Sequence, residues 1–154
     1  MRDLALIAAV YADIASDLDD RLERAQRVSD VPALARIAQR QQINDSAYFI
    51  LAWGQLEAEI NRIAEQAVRR RRTSIRWEER RAWDAHDPDA MRAKFEDRAA
   101  LVLDRANITS TAYRRTIRYY GWRNGIAHGT HLATGIDVPA VINDLYQIAS
   151  ELIA

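Results

Sequence analysis

The sequence predicts an all-α protein, an antiparallel bundle of four to five helices that forms one domain over residues 1–154. Apolar residues make up 49% of the 154 positions, enough for one core, whereas glycine and proline occur only five and three times. The apolar residues recur at spacings of three and four, which is the period of an amphipathic helix. No stretch alternates apolar and polar residues for long enough to predict a strand.

The first predicted helix covers residues 3–28, because its apolar residues form one stripe at helical spacing. The stripe consists of Leu4, Ile7, Ala8, Tyr11, Ile14, Ala15, Leu18 and Leu22. Ser29 and Asp30 follow as cap residues, and Pro32 is a residue that the first turn of a helix tolerates. These three residues predict the start of a short second helix.

A third, long helix is predicted to begin at a cap formed by Asn44, Asp45 and Ser46 and to end near Arg70. Residues 71–88 are the least regular part of the sequence and predict no clear element. Three further helix starts follow, each with a cap residue. They are Asp87-Pro88, Thr109-Ser110-Thr111 and Asp137-Val138-Pro139.

Charge and composition exclude several classes of function. Lys plus Arg and Asp plus Glu number 22 each, so no global charge favours a protein that coats nucleic acid. The absence of cysteine excludes disulfides, thiolate catalysis and cysteine zinc sites. No apolar run is long enough to cross a bilayer, and the N-terminus lacks a signal-peptide pattern. We therefore expect a cytoplasmic protein that does not associate with membranes.

The segment with an unusual pattern is residues 119–129, where glycines recur at every fourth position as Gly121, Gly125 and Gly129. In a helix each glycine lowers stability by up to about 1 kcal/mol relative to alanine, so three glycines in one helical segment indicate a specific role. At a spacing of four they lie near one another on one face. We expect that face to allow another backbone, or a polynucleotide, to approach closely.

Arg123 and His128 flank the central glycine of this segment. Arginine suits the stabilisation of a charged phosphate, and histidine suits proton transfer near neutral pH. Five residues of helix rotate by about 500°, which places the two side chains about 140° apart. They converge on one phosphate only if the helix ends near Gly129 or a second subunit completes the site. The alternative is a surface pair in which the charges satisfy the helix dipole.

Arg123-Asn124, followed by His128-Gly129 near the end of an all-α chain, resembles the signature of the HEPN superfamily in its stand-alone prokaryotic form. In that signature an arginine, often followed by a polar residue, precedes a histidine with four to six residues between them. The segment 48–57 is similar to the aromatic-rich helix that such proteins place before an acidic or polar position.

The resemblance implies a HEPN-like helical homodimer that cleaves RNA without a metal or any other cofactor and leaves a 2′,3′-cyclic phosphate. His128 would be the general acid and base, Arg123 would stabilise the phosphate, and Asn124 would position it. Many members are toxins or defence effectors, so an antitoxin or another regulatory protein is an expected partner. One toxin group is modified on a tyrosine two residues after the histidine, whereas this chain has Thr130 there.

Two alternatives stay open at the level of sequence. The first is a catalytically inactive HEPN-like module that dimerises or binds a nucleotide or a partner protein. The second is a plain helical adaptor in which the glycine spacing serves only packing.

Three further residues are candidates for RNA binding or for support of the site. Glu57 follows the apolar stripe of the third helix and is the candidate to orient Arg123. Arg72 and Arg76 belong to an arginine-rich stretch with neighbouring tryptophans. In RNA-binding proteins arginines of this kind contact phosphates, and the aromatic rings stack on unpaired bases. The alternatives are an exposed carboxylate and a solvated basic helix end. His128 and His131 have a spacing that suits metal ligands, but a third ligand is missing, so we predict no metal site.

Overall fold

The protein is all-helical, which confirms the predicted fold class. The computed structural model describes residues 1, 3–84, 94–106, 112–129 and 135–153. Within these ranges there are six helices and no strand, rather than the four to five helices predicted. The helices are α1 (Leu4–Arg27), α2 (Val31–Arg72), α3 (Trp77–Asp84), α4 (Phe95–Val102), α5 (Ala112–Ala127) and α6 (Val138–Ser150). None of the helices in the described ranges combines the length and the apolar character that a membrane span needs.

Contacts between residues group the chain into two compact units. The first unit contains Met1–Gln55 and Trp122–Leu145, and the second contains Leu56–Gly121 and Tyr146–Ala154. Helices α2, α5 and α6 each contribute residues to both units.

The prediction of a cap at Asn44, Asp45 and Ser46 is wrong, because α2 runs through them without a break. The predicted short second helix and long third helix are therefore one helix. Asp45 Oδ1 accepts a hydrogen bond from the Tyr11 hydroxyl of α1 at 2.9 Å, whereas a cap residue would accept one from a backbone N–H of its own helix. A tertiary hydrogen bond explains the polar residue inside the helix.

The interval predicted to be irregular contains a helix, α3. Ser74 organises its start, because the Ser74 Oγ accepts a hydrogen bond from the Arg76 N–H at 3.2 Å and donates one to Glu79 at 2.6 Å. The two hydrogen bonds hold Ser74 beside the first turn of α3. The predicted starts at 87–88 and 109–111 lie outside the described residues.

The corner between α1 and α2 is a Schellman motif that leads directly into a helix cap. The Asp30 N–H donates to the Ala25 carbonyl at 3.0 Å, and the Ser29 N–H donates to the Gln26 carbonyl at 3.1 Å. Ser29 has φ 54°, the left-handed conformation that this motif places after the helix end. Asp30 Oδ1 accepts from the Ala33 N–H at 2.9 Å, which confirms the predicted cap of the second helix.

In the first unit α1 packs antiparallel against the N-terminal part of α2. Their contacts near the corner form a core cluster of Leu18, Ala25 and Ile37, and Leu22, Ala33 and Leu34 pack against it. Further along, the rings of Tyr11 and Tyr48 meet edge to face with centroids 5.5 Å apart. The predicted stripe on α1 is confirmed at Leu4 and Leu18, whereas Ile14 is 37% exposed and lies at the edge of the stripe.

The second unit has an apolar core to which α2, α4 and α6 contribute Ile60, Val102 and Ile148, and an aromatic stack and polar contacts add to it. Phe95 of α4 stacks on Tyr120 of α5 with ring centroids 4.5 Å apart. Arg115 of α5 donates to Glu151, just after α6, at 3.2 Å. The Ile153 N–H donates to the Val102 carbonyl at 3.0 Å and so ties the end of the chain to the last residue of α4. That helix ends at Val102.

Replacing Ser29 with glycine is expected to stabilise the protein by about 1 kcal/mol, because glycine adopts the left-handed conformation without the steric cost that a Cβ brings. Chemical denaturation of Ser29→Gly and the parent measures the difference. Ser29→Ala is the matched control, which keeps the Cβ and gains no stability. Equal stability of the glycine and alanine variants would contradict the assignment.

Replacing Asp45 with asparagine is expected to raise the melting temperature near neutral pH. Burial raises the pKa of Asp45 above its usual value of 3.8, and the nearby Asp19 adds to the rise, although the Tyr11 hydrogen bond opposes it. The charged form therefore destabilises the fold above that pKa, and the penalty disappears as the pH falls below 3.8. Asparagine removes the charge and keeps an oxygen for the Tyr11 hydroxyl.

Thermal unfolding of both proteins between acidic and neutral pH tests this expectation. The advantage of Asp45→Asn is expected to grow as the pH rises through the pKa of Asp45. A difference that does not change with pH would show that the charge of Asp45 is not the cause.

Candidate functional site

The predicted site lies where α5 ends. The helix stops at Ala127, and the His128 N–H is shared between the carbonyls of Asn124 at 3.0 Å and Gly125 at 3.1 Å. The next residue, Gly129, has φ +78°, and its N–H donates to the Ile126 carbonyl at 3.0 Å. A left-handed glycine after the last turn is a common way to terminate a helix. The predicted helix end near Gly129 is thus confirmed, and it gives that glycine a structural role.

Arg123 and Asn124 form a pair within the last turns of α5. Both are partly buried, and the Arg123 Nη1 donates a hydrogen bond to the Asn124 Oδ1 at 3.1 Å. The amide oxygen fixes one edge of the guanidinium plane. Beyond this bond the described residues offer the Arg123 guanidinium no hydrogen bond and no ion pair. Its other N–H groups are therefore available for an anion.

Packing of the preceding residue holds this turn of the helix in the first unit. The ring of Trp122 lies against that of Phe49 on α2, with centroids 6.0 Å apart and planes tilted by 55°. Phe49 is fully buried, so the contact belongs to the core. The turn that carries Arg123 is therefore anchored by a side chain next to it in sequence.

Arg123 and His128 differ in their exposure to solvent. Arg123 is partly buried within the last turns of α5, whereas His128 is exposed just beyond the end of that helix. Among the described residues no hydrogen bond joins the two side chains. A single chain thus presents an oriented guanidinium and an accessible imidazole without bringing them into contact.

The glycines have open space beside them. A Cβ built on Gly121 or on Gly129 meets no atom within 4 Å, and both residues are exposed. Gly121 lies within α5, whereas Gly129 follows the end of that helix. The described part of the chain does not itself fill that space. The close approach predicted for the glycine face stays a prediction.

Glu57 is partly buried on α2 and belongs to the second unit, whereas Arg123 belongs to the first. Its predicted role in orienting Arg123 stays a prediction. The Arg123 contact that the structure shows is the one to Asn124.

The arginine-rich stretch that begins in the last turn of α2 is a mixed surface rather than a basic one. Arg76 is exposed and lines a cavity of about 730 Å³ together with Arg71, Trp83 and two glutamates, Glu78 and Glu79. The Arg71 guanidinium lies 4.9 Å from the centroid of the Trp83 ring and covers one of its faces. Arg72 is partly buried and does not line this cavity. The predicted RNA-binding role of Arg72 and Arg76 stays a prediction. The structure adds that Glu78 and Glu79 line the same cavity as Arg76.

Thr130 and His131 lie outside the described residues. The predicted absence of a metal site at His128 and His131 stays untested for that reason.

Comparison with known proteins finds no match, either to a protein-family model, to a curated protein or to a solved structure. The resemblance to the HEPN signature therefore rests on Arg123, Asn124, His128 and Gly129, on the segment 48–57 and on the all-helical fold.

Replacing Gly129 and Gly121 with alanine is expected to have opposite effects on stability. Gly129→Ala destabilises by about 1 kcal/mol, because the left-handed conformation disfavours a Cβ. Gly121→Ala stabilises by up to about 1 kcal/mol, because the residue lies inside a helix with room for a methyl group. Urea unfolding of both variants gives the two differences. A stabilising Gly129→Ala would contradict the described helix end.

Proposed function

We propose that this protein is a metal-independent endoribonuclease of the HEPN type that acts as a homodimer, in the manner of a toxin or a stress or defence effector. The observation that carries the proposal is the Arg123–Asn124 pair, a partly buried guanidinium held at 3.1 Å by a neighbouring amide and open to an anion on its other edges. An oriented guanidinium of this kind suits a phosphate that gains negative charge during the reaction.

His128 supplies the proton transfer in this proposal. Its imidazole is exposed just beyond the end of α5, so a ribose 2′-hydroxyl can reach it. As general base it removes the 2′-hydroxyl proton while the oxygen attacks the adjacent phosphorus. The bond from phosphorus to the 5′-oxygen breaks, and that oxygen takes up a proton. The products are a 2′,3′-cyclic phosphate and a 5′-hydroxyl, and neither step requires a metal.

The proposed homodimer brings a second copy of the site to the same phosphate. Within one chain Arg123 is partly buried, His128 is exposed beyond the end of α5, and no hydrogen bond among the described residues joins their side chains. A second copy that approaches the glycine face adds its own histidine or arginine across a twofold axis. The open space at Gly121 supports such an approach, because no described atom of the chain occupies it. An antitoxin or another regulatory protein is the proposed cellular restraint.

Arg123→Ala and His128→Ala are each expected to lower RNA cleavage in EDTA by about 10²-fold or more, because each removes a group that acts in the transition state. Cleavage of a fluorescent single-stranded RNA measures the rates. Circular dichroism checks that the fold survives. Arg114→Ala is the matched control, an exposed arginine on the same helix, and it is expected to retain the parent rate.

Mixing the two inactive variants tests whether the site is shared between subunits. After the two variants have exchanged subunits, half of the dimers are heterodimers. If the site is shared, one of the two sites in each heterodimer has both Arg123 and His128, so the mixture recovers about a quarter of the parent rate. No restoration would confine the site to one chain and contradict the shared site. Parent-like cleavage by both variants would contradict the nuclease itself. A stable dimer that leaves every RNA intact would favour the alternative, an inactive HEPN-like module.

A further inference from the structure

The corner of α1 and α2 in the first unit encloses an open cavity of about 470 Å³ whose polar lining is dominated by arginine. Four arginines line it, Arg21 and Arg24 from α1 and Arg36 and Arg40 from α2. Their spacings of three and four place each pair on one face of its helix, and the antiparallel packing brings the two pairs to one cavity. The chain as a whole has a formal net charge of zero, whereas the residues that line the cavity include four arginines and one aspartate.

Few carboxylates neutralise these guanidinium groups. Arg21 forms an ion pair with Asp17 at 2.7 Å, while the Arg24 Nε donates to a backbone carbonyl, that of Asp20, at 3.1 Å. Arg36 and Arg40 make no ion pair and no hydrogen bond with any described residue. Within the described part of the chain, three of the four arginines lining the cavity therefore keep an uncompensated charge.

The acidic residue in the lining already has a partner. Asp30 caps α2, because its Oδ1 accepts the Ala33 N–H at 2.9 Å. A carboxylate bound to the first turn of a helix is favoured there by the helix dipole and does not need an arginine. The cavity is therefore positive in spite of Asp30.

The floor of the cavity is apolar and belongs to the core. Ala25 and Ile37 line the cavity and are also buried members of the cluster between α1 and α2. The Schellman turn at Ser29 fixes the angle at which the two helices meet. The backbone positions that carry the four arginines are therefore held by a packed base.

We propose that this cavity binds a ligand that presents consecutive phosphate groups. Arginine donors match phosphate oxygens in a planar, bidentate geometry, and three uncompensated guanidiniums call for more than one phosphate. The lining contains no aromatic side chain on which a base stacks, so recognition is of phosphates rather than of bases. The consecutive phosphates come either from a polynucleotide backbone or from a free polyphosphate. This proposal does not depend on the chemistry proposed for α5.

Binding to two probes tests the site and identifies the source of the phosphates. One probe is a short fluorescein-labelled 2′-O-methyl oligonucleotide, which cannot be cut by 2′-hydroxyl attack, and the other is inorganic triphosphate. The double variant Arg36→Gln with Arg40→Gln is expected to weaken the preferred probe by about tenfold or more. If the oligonucleotide is preferred, we expect a change in the slope of the logarithm of its binding constant against the logarithm of the salt concentration. This slope becomes less steep by about 0.7 for each phosphate that the variant no longer neutralises.

The matched control removes the same charge elsewhere. Arg27→Gln with Arg62→Gln replaces two exposed arginines that pair with Glu23 and Glu59 outside the cavity, and it is expected to bind as the parent does. If the parent protein binds the oligonucleotide more tightly than triphosphate, the site is assigned to a nucleic-acid backbone. If it binds triphosphate more tightly, the site is assigned to a free polyphosphate. Unchanged binding by the cavity variant, or an equal reduction in the control, would overturn the proposal.

Discussion

The contact between Phe49 and Trp122 is the constraint on which the proposed site depends. Phe49 is fully buried on α2, and the ring of Trp122 lies 6.0 Å from it. Because Trp122 directly precedes Arg123 and Asn124, the contact limits how the last turns of α5 can rotate. Arg123 and Asn124 thus follow an anchored aromatic side chain and precede a helix end at which Gly129 adopts the left-handed conformation.

The sequence was sufficient to predict the fold class, since the apolar periodicity is strong along most of the chain. It also predicted the caps at Asp30 and Asp137, where a carboxylate accepts an N–H of the first turn. It failed at Asn44-Asp45-Ser46, because a polar triplet that suits a cap also suits the interior of a helix when another helix supplies a partner. The Tyr11 hydroxyl is that partner, and the pairing of α1 with α2 is not visible in local sequence.

The candidate site was predictable in part, because an unusual local string marks it. The glycines, Arg123 and His128 stand out within eleven residues, and the helix end at Gly129 could be predicted from them. The hydrogen bond from Arg123 to Asn124 and the outward position of His128 required coordinates. The arginine cavity was not predictable for a different reason. Its arginines come from two helices, and only the register between those helices brings them together.

The central claim is that Arg123 and His128 direct a ribose 2′-hydroxyl at the neighbouring phosphate. Mass spectrometry of the ends of a short RNA, after incubation with the purified protein in EDTA, tests it most directly. The proposed reaction leaves a 2′,3′-cyclic phosphate on one product and a 5′-hydroxyl on the other. A 3′-hydroxyl paired with a 5′-phosphate would contradict the claim, because those ends arise when water rather than the 2′-hydroxyl attacks the phosphorus.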